Sequence, residues 1–157
     1  MVLIKIISFI IFLSTALIAD IKVVNNAASN KSNYIKTLKG EKKIFVSSRD
    51  FGSSLSSRLY ENAERKKLVL YILGKRIKIS AGTSFLIIDD NPYQMIDAVQ
   101  EYNGDLYVPA ESFFDILRKV AIPGLRYDKR KEVLEFDVIR YNVRSLDIEE
   151  KSNGTII

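Results

Sequence analysis

Two stretches of the chain share one pattern, in which a short apolar run turns directly into a segment with helical spacing. Residues 44–55 read IFVSSRDFGSSL and residues 106–117 read LYVPAESFFDIL, and their apolar positions agree at one constant offset. The later runs LVLY (68–71) and VLEF (133–136) match in the same order at a slightly larger offset. We therefore expect two strand-helix-β-hairpin units, at about residues 42–90 and 91–140, that share one core because neither can bury enough apolar surface alone.

The sequence between the two patterns is typical of an antiparallel meander. KKLVLYILG, KRIKIS and TSFLIID are rich in β-type residues and are separated by Gly74 and Gly82. A further strand is predicted over YQMIDAVQEY, and Asn103-Gly104 is a strong signal for a hairpin. The predicted fold class is α+β with a mostly antiparallel sheet, after an N-terminal signal helix.

Two helices are predicted from apolar spacing. In the segment RDFGSSLSSRLYENA, Phe51, Leu55 and Leu59 recur every four residues, and Ser47 offers a start signal. Low helix propensity, from one glycine and several serines, weakens that prediction. The second helix follows Pro109 and presents a core face at i, i+3, i+4 and i+7, with members Phe113, Ile116, Leu117 and Val120.

The first 19 residues have the layout of a secretory signal peptide. Lys5 precedes an apolar run from Ile6 to Leu13, and small residues follow up to Ala19, the expected cleavage position. The run is short for a membrane span, so no stable span is expected after cleavage, with a retained anchor as the alternative. The chain is therefore predicted to be exported to the periplasm or cell envelope. Residues 20–40 are interpreted as a linker or ragged first strand, and residues 141–157 as the truncated start of a further β-rich segment.

The chain contains no histidine and no cysteine, which removes the usual general base, the commonest metal ligand and every thiol nucleophile. The serines between 47 and 57 then lack an activating base. Asp89-Asp90-Asn91 reads as a turn rather than a calcium site. Glu111 and Asp115 resemble an acid/base pair by spacing, but a helix N-terminal charge and a pairing of Asp115 with Lys119 are favoured. No catalytic residue, metal site or cofactor is predicted.

The net charge of +5 favours an anionic partner, and for an exported chain this indicates wall polymers rather than nucleic acid. Acidic residues are interspersed among the basic ones, so most of the charge is expected on ordinary solvated faces. Tyrosines beside cations can stack on sugar rings and pair with peptide-stem carboxylates. The candidate residues for binding a wall polymer are Arg76, Lys78, Tyr60, Tyr93 and Tyr102. The alternative for each tyrosine is a place at the edge of the core.

The order of these motifs resembles the copper amine oxidase N-terminal-like domain, an α+β module of exported bacterial proteins. The resemblance rests on Tyr107-Val108-Pro109 entering a Phe/Leu helix and on Tyr127-Asp128 before a basic turn, and it covers about residues 41–140. It implies a non-catalytic module. Members in cell-envelope proteins are not copper sites, and a chain without histidine or cysteine agrees with this.

YQM before Asn103-Gly104, and DIEEKSNGTII after the last strand, look like the amino-terminal part of exported N-acetylmuramoyl-L-alanine amidases. That resemblance implies a downstream catalytic domain as a partner, with any hydrolase activity outside these residues. The expected function is a non-catalytic envelope module that positions such a peptidoglycan hydrolase on the cell wall. The alternative is a structural or protein-interaction domain with no wall ligand of its own.

Overall fold

The structure is a computed structural model that describes residues 20–25, 33–40 and 43–137. Within these ranges the chain forms two helices, α1 (Ser48–Ser54) and α2 (Ala110–Val120). The strands of the same ranges are β1 (Asp20–Asn25), β2 (Asn33–Lys39), β3 (Ile44–Ser47), β4 (Arg58–Asn62), β5 (Lys67–Ile72), β6 (Lys75–Ser80), β7 (Phe85–Ile88), β8 (Asn91–Gln94), β9 (Gln100–Tyr102), β10 (Asp105–Pro109), β11 (Leu125–Asp128) and β12 (Val133–Phe136).

The described strands form two sheets. A seven-stranded sheet has the order β11-β12-β1-β2-β3-β10-β9, and a five-stranded sheet is the simple meander β4-β5-β6-β7-β8. The pairing of β1 with β12 is parallel, and all the other pairings in the described ranges are antiparallel. The prediction of a mixed α+β fold with mostly antiparallel sheet is confirmed.

The meander forms as the sequence predicts, because its apolar residues alternate with polar ones. In β6, Ile77 and Ile79 are fully buried, whereas Arg76 and Lys78 are only partly buried. The β5–β6 and β9–β10 connections are two-residue turns in which both residues have positive φ, Leu73-Gly74 and Asn103-Gly104. Turns of this kind match the twist of paired strands, and glycine adopts positive φ without steric cost.

The first helix is shorter than predicted. Ser47 is its N-cap, and its side chain accepts a hydrogen bond from the Asp50 N–H at 3.0 Å, as the start signal indicates. However, α1 ends at Ser54, and Leu59 lies in β4 rather than on a helical face. A β-carbon at Gly52 would lie 2.6 Å from the Leu70 side chain, so the close approach of α1 to β5 requires glycine in a segment of already low helix propensity.

The predicted strand over YQMIDAVQEY is two strands. β8 ends at Gln94 and β9 begins at Gln100, because the chain leaves the five-stranded sheet there and enters the seven-stranded one. Met95 and Val99 are buried in the crossing segment. Their N–H groups donate to the carbonyls of Ser84 and Thr83 at 2.7 and 2.9 Å, which fixes the path of the chain between the sheets.

Residues 20–40, where the sequence indicates a linker or a ragged first strand, contribute β1 and β2 to the seven-stranded sheet. Ile21, Val23 and Ile35 are buried there, so both strands add to the core. The predicted signal helix over 1–19 and the predicted β-rich segment at 141–157 lie outside the described residues.

The apolar residues of both sheets and both helices form one cluster in the described structure. Its largest members include Phe51 from α1 and Phe113 from α2, both fully buried. Their rings meet edge to face, with centroids 5.1 Å apart and an interplanar angle of 78°. Phe114 of α2 contacts both rings, and thus the two helices are joined through aromatic side chains.

The internal repeat stays a prediction. The order strand, helix, hairpin occurs twice, as β3-α1-β4-β5 and as β10-α2-β11-β12. Val46 and Val108, which the proposed repeat aligns, are register partners of the antiparallel pair β3–β10, and the aligned Phe51 and Phe113 touch. The two hairpins, by contrast, belong to different sheets.

Candidate ligand-binding face of the five-stranded sheet

The five-stranded sheet has one face in the core and one face toward solvent. Its core-side residues include Leu70, Ile77 and Leu86, each fully buried. The alternate residues of β4 to β8 lie on the opposite face, and each of them is exposed or only partly buried. We call this second surface the outer face. Its members are Arg58, Tyr60, Asn62, Lys67, Val69, Tyr71, Arg76, Lys78, Ser80, Phe85, Ile87, Pro92 and Gln94.

One row of side chains crosses all five strands of the outer face. Tyr60, Val69, Lys78, Ile87 and Pro92 are successive register partners from β4 to β8. Directly opposite residues in an antiparallel pair place their β-carbons about 4.5–5.5 Å apart, so neighbours in this row contact each other. The row is an apolar strip with one aromatic end and a cation at its centre.

A shorter row beside the first one adds two cations and a second tyrosine. Arg58, Tyr71 and Arg76 are register partners on β4, β5 and β6. The Arg58 guanidinium carbon lies 5.6 Å from the centroid of the Tyr71 ring, which is within cation–π range. In this second row, the tyrosine lies between the two arginines.

Three aromatic side chains of the outer face are exposed. The exposed fractions are 63% for Tyr60, 41% for Tyr71 and 45% for Phe85. Tyr60 and Tyr71 lie near the β4 edge, and Phe85 lies on β7 beyond the cations of β6. Solvated strand positions usually carry polar residues, so three uncovered rings on one face form a surface suited to stacking.

The β7–β8 turn places two carboxylates at the cations of β6. The Asp90 carboxylate accepts from Arg76 Nη2 at 2.6 Å and from Lys78 Nζ at 2.8 Å. Asp89 accepts from Lys75 Nζ at 2.8 Å and from the Arg76 backbone N–H at 2.9 Å. The hydrogen bond from Lys78, with the charge of Arg76, holds the pKa of Asp90 below its ordinary value. The Arg76 N–H and the Lys75 ammonium do the same for the pKa of Asp89.

The structure brings together three of the five residues that the sequence indicates for binding. Tyr60, Arg76 and Lys78 share the outer face. Tyr93 is the register partner of the buried Leu86 and packs against the core from the other side of the sheet. Tyr102 lies in β9 of the seven-stranded sheet, where its ring meets the ring of Tyr107 edge-on at 6.2 Å.

Arg58, Tyr71 and Phe85 belong to the outer face but were not singled out from the sequence. Period-two alternation is the signal that marks Arg58 and Tyr71, because each lies two residues from another outer-face residue on its own strand. To place Phe85 on the outer face, the register of β6 with β7 must be known. The sequence does not predict this register, because a four-residue connection joins the two strands.

The carboxylates of α2 are ion-paired at the surface. Asp115 accepts from Lys119 Nζ at 2.6 Å and from Arg118 Nη2 at 2.9 Å, and these bonds lower the pKa of Asp115. Glu111 pairs with Lys129 at the end of the β11 hairpin. The predicted pairing of Asp115 with Lys119 is therefore confirmed. Glu111 and Asp115 line the same surface groove, but each carboxylate is held by its own basic partners.

A groove of about 340 Å³ lies between α2 and β11, and Phe114, Arg126 and Tyr127 line it. The Tyr127 hydroxyl is buried and has no hydrogen-bond partner among the described residues. Burial, followed by the nearby charge of Glu132, raises the pKa of Tyr127 to about 12. The phenol thus stays neutral at ordinary pH.

Three of the serines between residues 47 and 57 bind the backbone around α1. Ser54 Oγ donates to the Phe51 carbonyl at 2.8 Å, and Ser57 Oγ donates to the Gly52 carbonyl at 2.8 Å. Ser47 caps the helix and also donates to the Asp105 carboxylate. Their hydroxyls hold the junction together, in keeping with a scaffold role.

In comparisons with known proteins, the family model described as the copper amine oxidase N-terminal domain matches residues 23–122. That range is more than half of the chain. The chain belongs to this family. No curated protein and no solved structure gives a significant match.

The match to the copper amine oxidase N-terminal domain extends from β1 to the end of α2, so it includes the whole five-stranded sheet. Copper itself does not fit the residues present. The full chain offers neither histidine nor cysteine, and the described residues contain no group of three or more acidic side chains placed to hold a metal ion. Neither helix of the described ranges is long and apolar enough to cross a membrane.

Proposed function

We propose that the protein is a non-catalytic module of the cell envelope that holds a peptidoglycan hydrolase, such as an N-acetylmuramoyl-L-alanine amidase, against the cell wall. The outer face is the wall-binding surface in this proposal. The observation that carries it is the uncovered row from Tyr60 to Pro92, with Lys78 at its centre and Arg76 beside it. Membership of the copper amine oxidase N-terminal domain family agrees with a non-catalytic role.

The shape of the outer face suits a polymer. Sites for small molecules are concave and enclose most of the ligand, whereas this surface is one side of an antiparallel sheet. A glycan chain laid across the strands would meet the rings of Tyr60 and Tyr71, then the cations of β6, and then Phe85. Rings of this kind offer sugar faces an apolar contact area without loss of many rotamers.

The charge of the outer face suits an anionic polymer. Among the described residues, the four cations Arg58, Lys67, Arg76 and Lys78 share the outer face with the carboxylate of Asp90. Peptide stems of the wall carry carboxylates, and guanidinium groups bind carboxylates in a charge-assisted and directional way. Because these groups are exposed, binding is expected to weaken as salt is added.

The test is co-sedimentation of the purified protein with peptidoglycan sacculi at low salt. We expect the wild-type protein in the pellet and a loss of binding of about tenfold for Arg76→Gln/Lys78→Gln, since each exposed contact contributes up to about 1 kcal/mol. The matched control is Arg118→Gln/Lys119→Gln, which removes the same two charges from α2, where they also share one aspartate.

Full recovery of the wild-type protein in the supernatant at low salt would contradict wall binding. Equal losses for the two double variants would show that only the net charge matters and would remove the outer face from the proposal. Both variants should fold, because the side chains that they replace are exposed at the surface.

A structural or protein-interaction domain is the alternative, and the exposed Tyr60, Tyr71 and Phe85 also favour it, since uncovered apolar rings mark protein interfaces. In a longer protein that carries an amidase domain, removal of residues 20–140 distinguishes the two. Unchanged affinity for sacculi supports the alternative, and loss of affinity supports wall targeting.

Export is part of the proposal, with cleavage after Ala19. Mass spectrometry of the protein recovered from its native envelope fraction should give Asp20 as the first residue. Recovery from the cytoplasm with Met1 still present would contradict export.

A further inference from the structure

We infer that Asp90 occupies, in the free protein, the position that an oxyanion of the ligand takes on Arg76 and Lys78, and that Asp90 thereby sets how strongly the outer face binds anionic polymers. The ligand group is a carboxylate or a phosphate held by both cations at once. This inference rests on the proposed role of the outer face as the binding surface.

The geometry at Asp90 is that of an occupied oxyanion site. One carboxylate oxygen accepts from Arg76 Nη2 at 2.6 Å and the other accepts from Lys78 Nζ at 2.8 Å. Arg76 and Lys78 are two residues apart on β6, so both side chains project from the same face of the sheet. A carboxylate or phosphate group of a ligand would bind this pair of donors in the same way.

The Asp90 carboxylate is displaceable because it is exposed. The exposed fraction of its side chain is 67%, and its two partners are each 39% exposed. Ion pairs in such positions contribute little to folding, since water and salt screen them. A polymer that presents many oxyanions can therefore compete for Arg76 and Lys78 without unfolding the turn.

The backbone at Asp90 lies in the left-handed region. Asp90 is the second residue of a two-residue turn and has a φ of +68°. In the corresponding turns of β5–β6 and β9–β10, the second residue is Gly74 or Gly104. Glycine adopts positive φ without steric cost, and aspartate tolerates it better than most other residues do.

The turn itself does not depend on the Asp90 side chain. Asp89 is the residue that anchors it, since the Asp89 carboxylate accepts from the Arg76 backbone N–H at 2.9 Å and from Lys75 Nζ at 2.8 Å. The Asp90 carboxylate, by contrast, contacts only the two outer-face cations in the hydrogen bonds and ion pairs of the described residues. A change at Asp90 therefore alters the binding surface while the hairpin remains fixed.

The experiment compares the affinity of the purified protein for three defined polymers: poly-glutamate, polyphosphate and neutral dextran. The variants are Asp90→Asn, which keeps the shape of the side chain, and Asp90→Gly, which also relieves the positive φ. The matched control is Asp115→Asn, which removes the same charge from an aspartate that likewise bridges an arginine and a lysine, but on α2. Dissociation constants are measured at one fixed ionic strength.

We expect both Asp90 variants to bind at least one polyanion about three- to tenfold more tightly than the wild-type protein, because one opposing charge is removed at contact distance. The control variant should change the same affinity by less than about twofold, since Asp115 pairs with Arg118 and Lys119 on α2 and is not part of the outer face. Binding of dextran should not change. A larger gain with poly-glutamate identifies carboxylate as the ligand group, and a larger gain with polyphosphate identifies phosphate.

Equal gains for Asp90→Asn and Asp115→Asn would show that only the net charge matters and would overturn the inference. Absence of polyanion binding by every variant would also overturn the inference, whereas the wall-binding proposal is tested separately by co-sedimentation with sacculi. If Asp90→Asn gains affinity for a polyanion while no variant binds sacculi, the inference holds and the wall-binding proposal fails. Asparagine and glycine both accept positive φ, so the variants should fold, and thermal denaturation checks this.

Discussion

The edge-to-face contact between Phe51 and Phe113 makes a quantitative prediction about how the two helices hold the core together. Both side chains are fully buried, their ring centroids are 5.1 Å apart, and each ring also contacts Phe114. The perturbation is Phe51→Leu, Phe113→Leu and the double variant. Leucine keeps an apolar side chain in place, so the core stays closed while the ring contact is lost.

The expected magnitude follows from the burial and geometry of the pair. Replacing a buried phenylalanine by alanine costs about 3–5 kcal/mol, and leucine retains part of that volume, so each single change should cost about 1–3 kcal/mol. Aromatic pairs in this geometry contribute about 0.5–1.5 kcal/mol beyond burial. The double variant should therefore be destabilised by less than the sum of the two single variants. The shortfall should be about 0.5–1.5 kcal/mol, the contribution of the ring contact.

The assay is urea unfolding followed by circular dichroism, with the free energy of unfolding taken from the midpoint and the slope. Phe85→Leu is the control, because Phe85 is exposed on the outer face and its replacement should cost less than about 0.5 kcal/mol. Additivity of Phe51→Leu and Phe113→Leu within about 0.5 kcal/mol would refute the argument that ring contact couples the helices.

Three further predictions concern single positions. Gly124→Ala should lower the thermal midpoint strongly, since a β-carbon there would lie 2.1 Å from the backbone oxygen of Asp137. Ser47→Ala should cost about 0.5–2 kcal/mol in urea unfolding, because the Asp50 N–H loses its acceptor at the helix start. Burial raises the folded pKa of Tyr127 to about 12, above the unfolded value of about 10. Stability should therefore fall as pH rises from about 10 to about 12, and Tyr127→Phe should reduce that fall over the same range. An equally steep fall in that variant would contradict the assignment.

Local pattern was enough to predict much of the meander and the second helix. Ile77 and Ile79 alternate with charged residues, and Gly74 marks the turn before them, so strand type, face and turn all follow from neighbouring residues. The spacing of Phe113 and Leu117 gave the buried face of α2 for the same reason.

The parts of the fold that the local sequence pattern does not predict depend on contacts between residues that are far apart in the chain. β1 carries buried residues only because it is inserted between β12 and β2, and its parallel partner β12 is more than a hundred residues away in the chain. The need for glycine at position 52 depends on Leu70, whose side chain fills the space beside Gly52. Neither neighbour is visible from the residues of the element itself.

In the candidate site, too, one part is predictable from the local sequence and another part depends on the pairing of strands. Alternation places Tyr60, Arg76 and Lys78 on exposed positions of their strands, and that much is readable from the sequence. Their assembly with Tyr71 and Phe85 into one surface requires the register of successive strands. The contact of Asp90 with β6 requires in addition the two-residue turn that returns β8 along β7.

The two strand-helix junctions support the fold and do not form a binding site. The residues that stabilise the chain are therefore different from those proposed to bind a ligand. Ser47 and Pro109, which start the helices, are buried at the join of β3 and β10 with α1 and α2, and the aromatic rings beyond them fill the shared core. A polymer cannot reach such residues without unfolding the domain. The side chains of the outer face, in contrast, are exposed or only partly buried in the described structure, so they can vary in charge at little cost in folding. Variants of the junctions should therefore alter the midpoint of unfolding, and variants of Tyr60, Arg76 or Asp90 should alter affinity with the midpoint nearly unchanged.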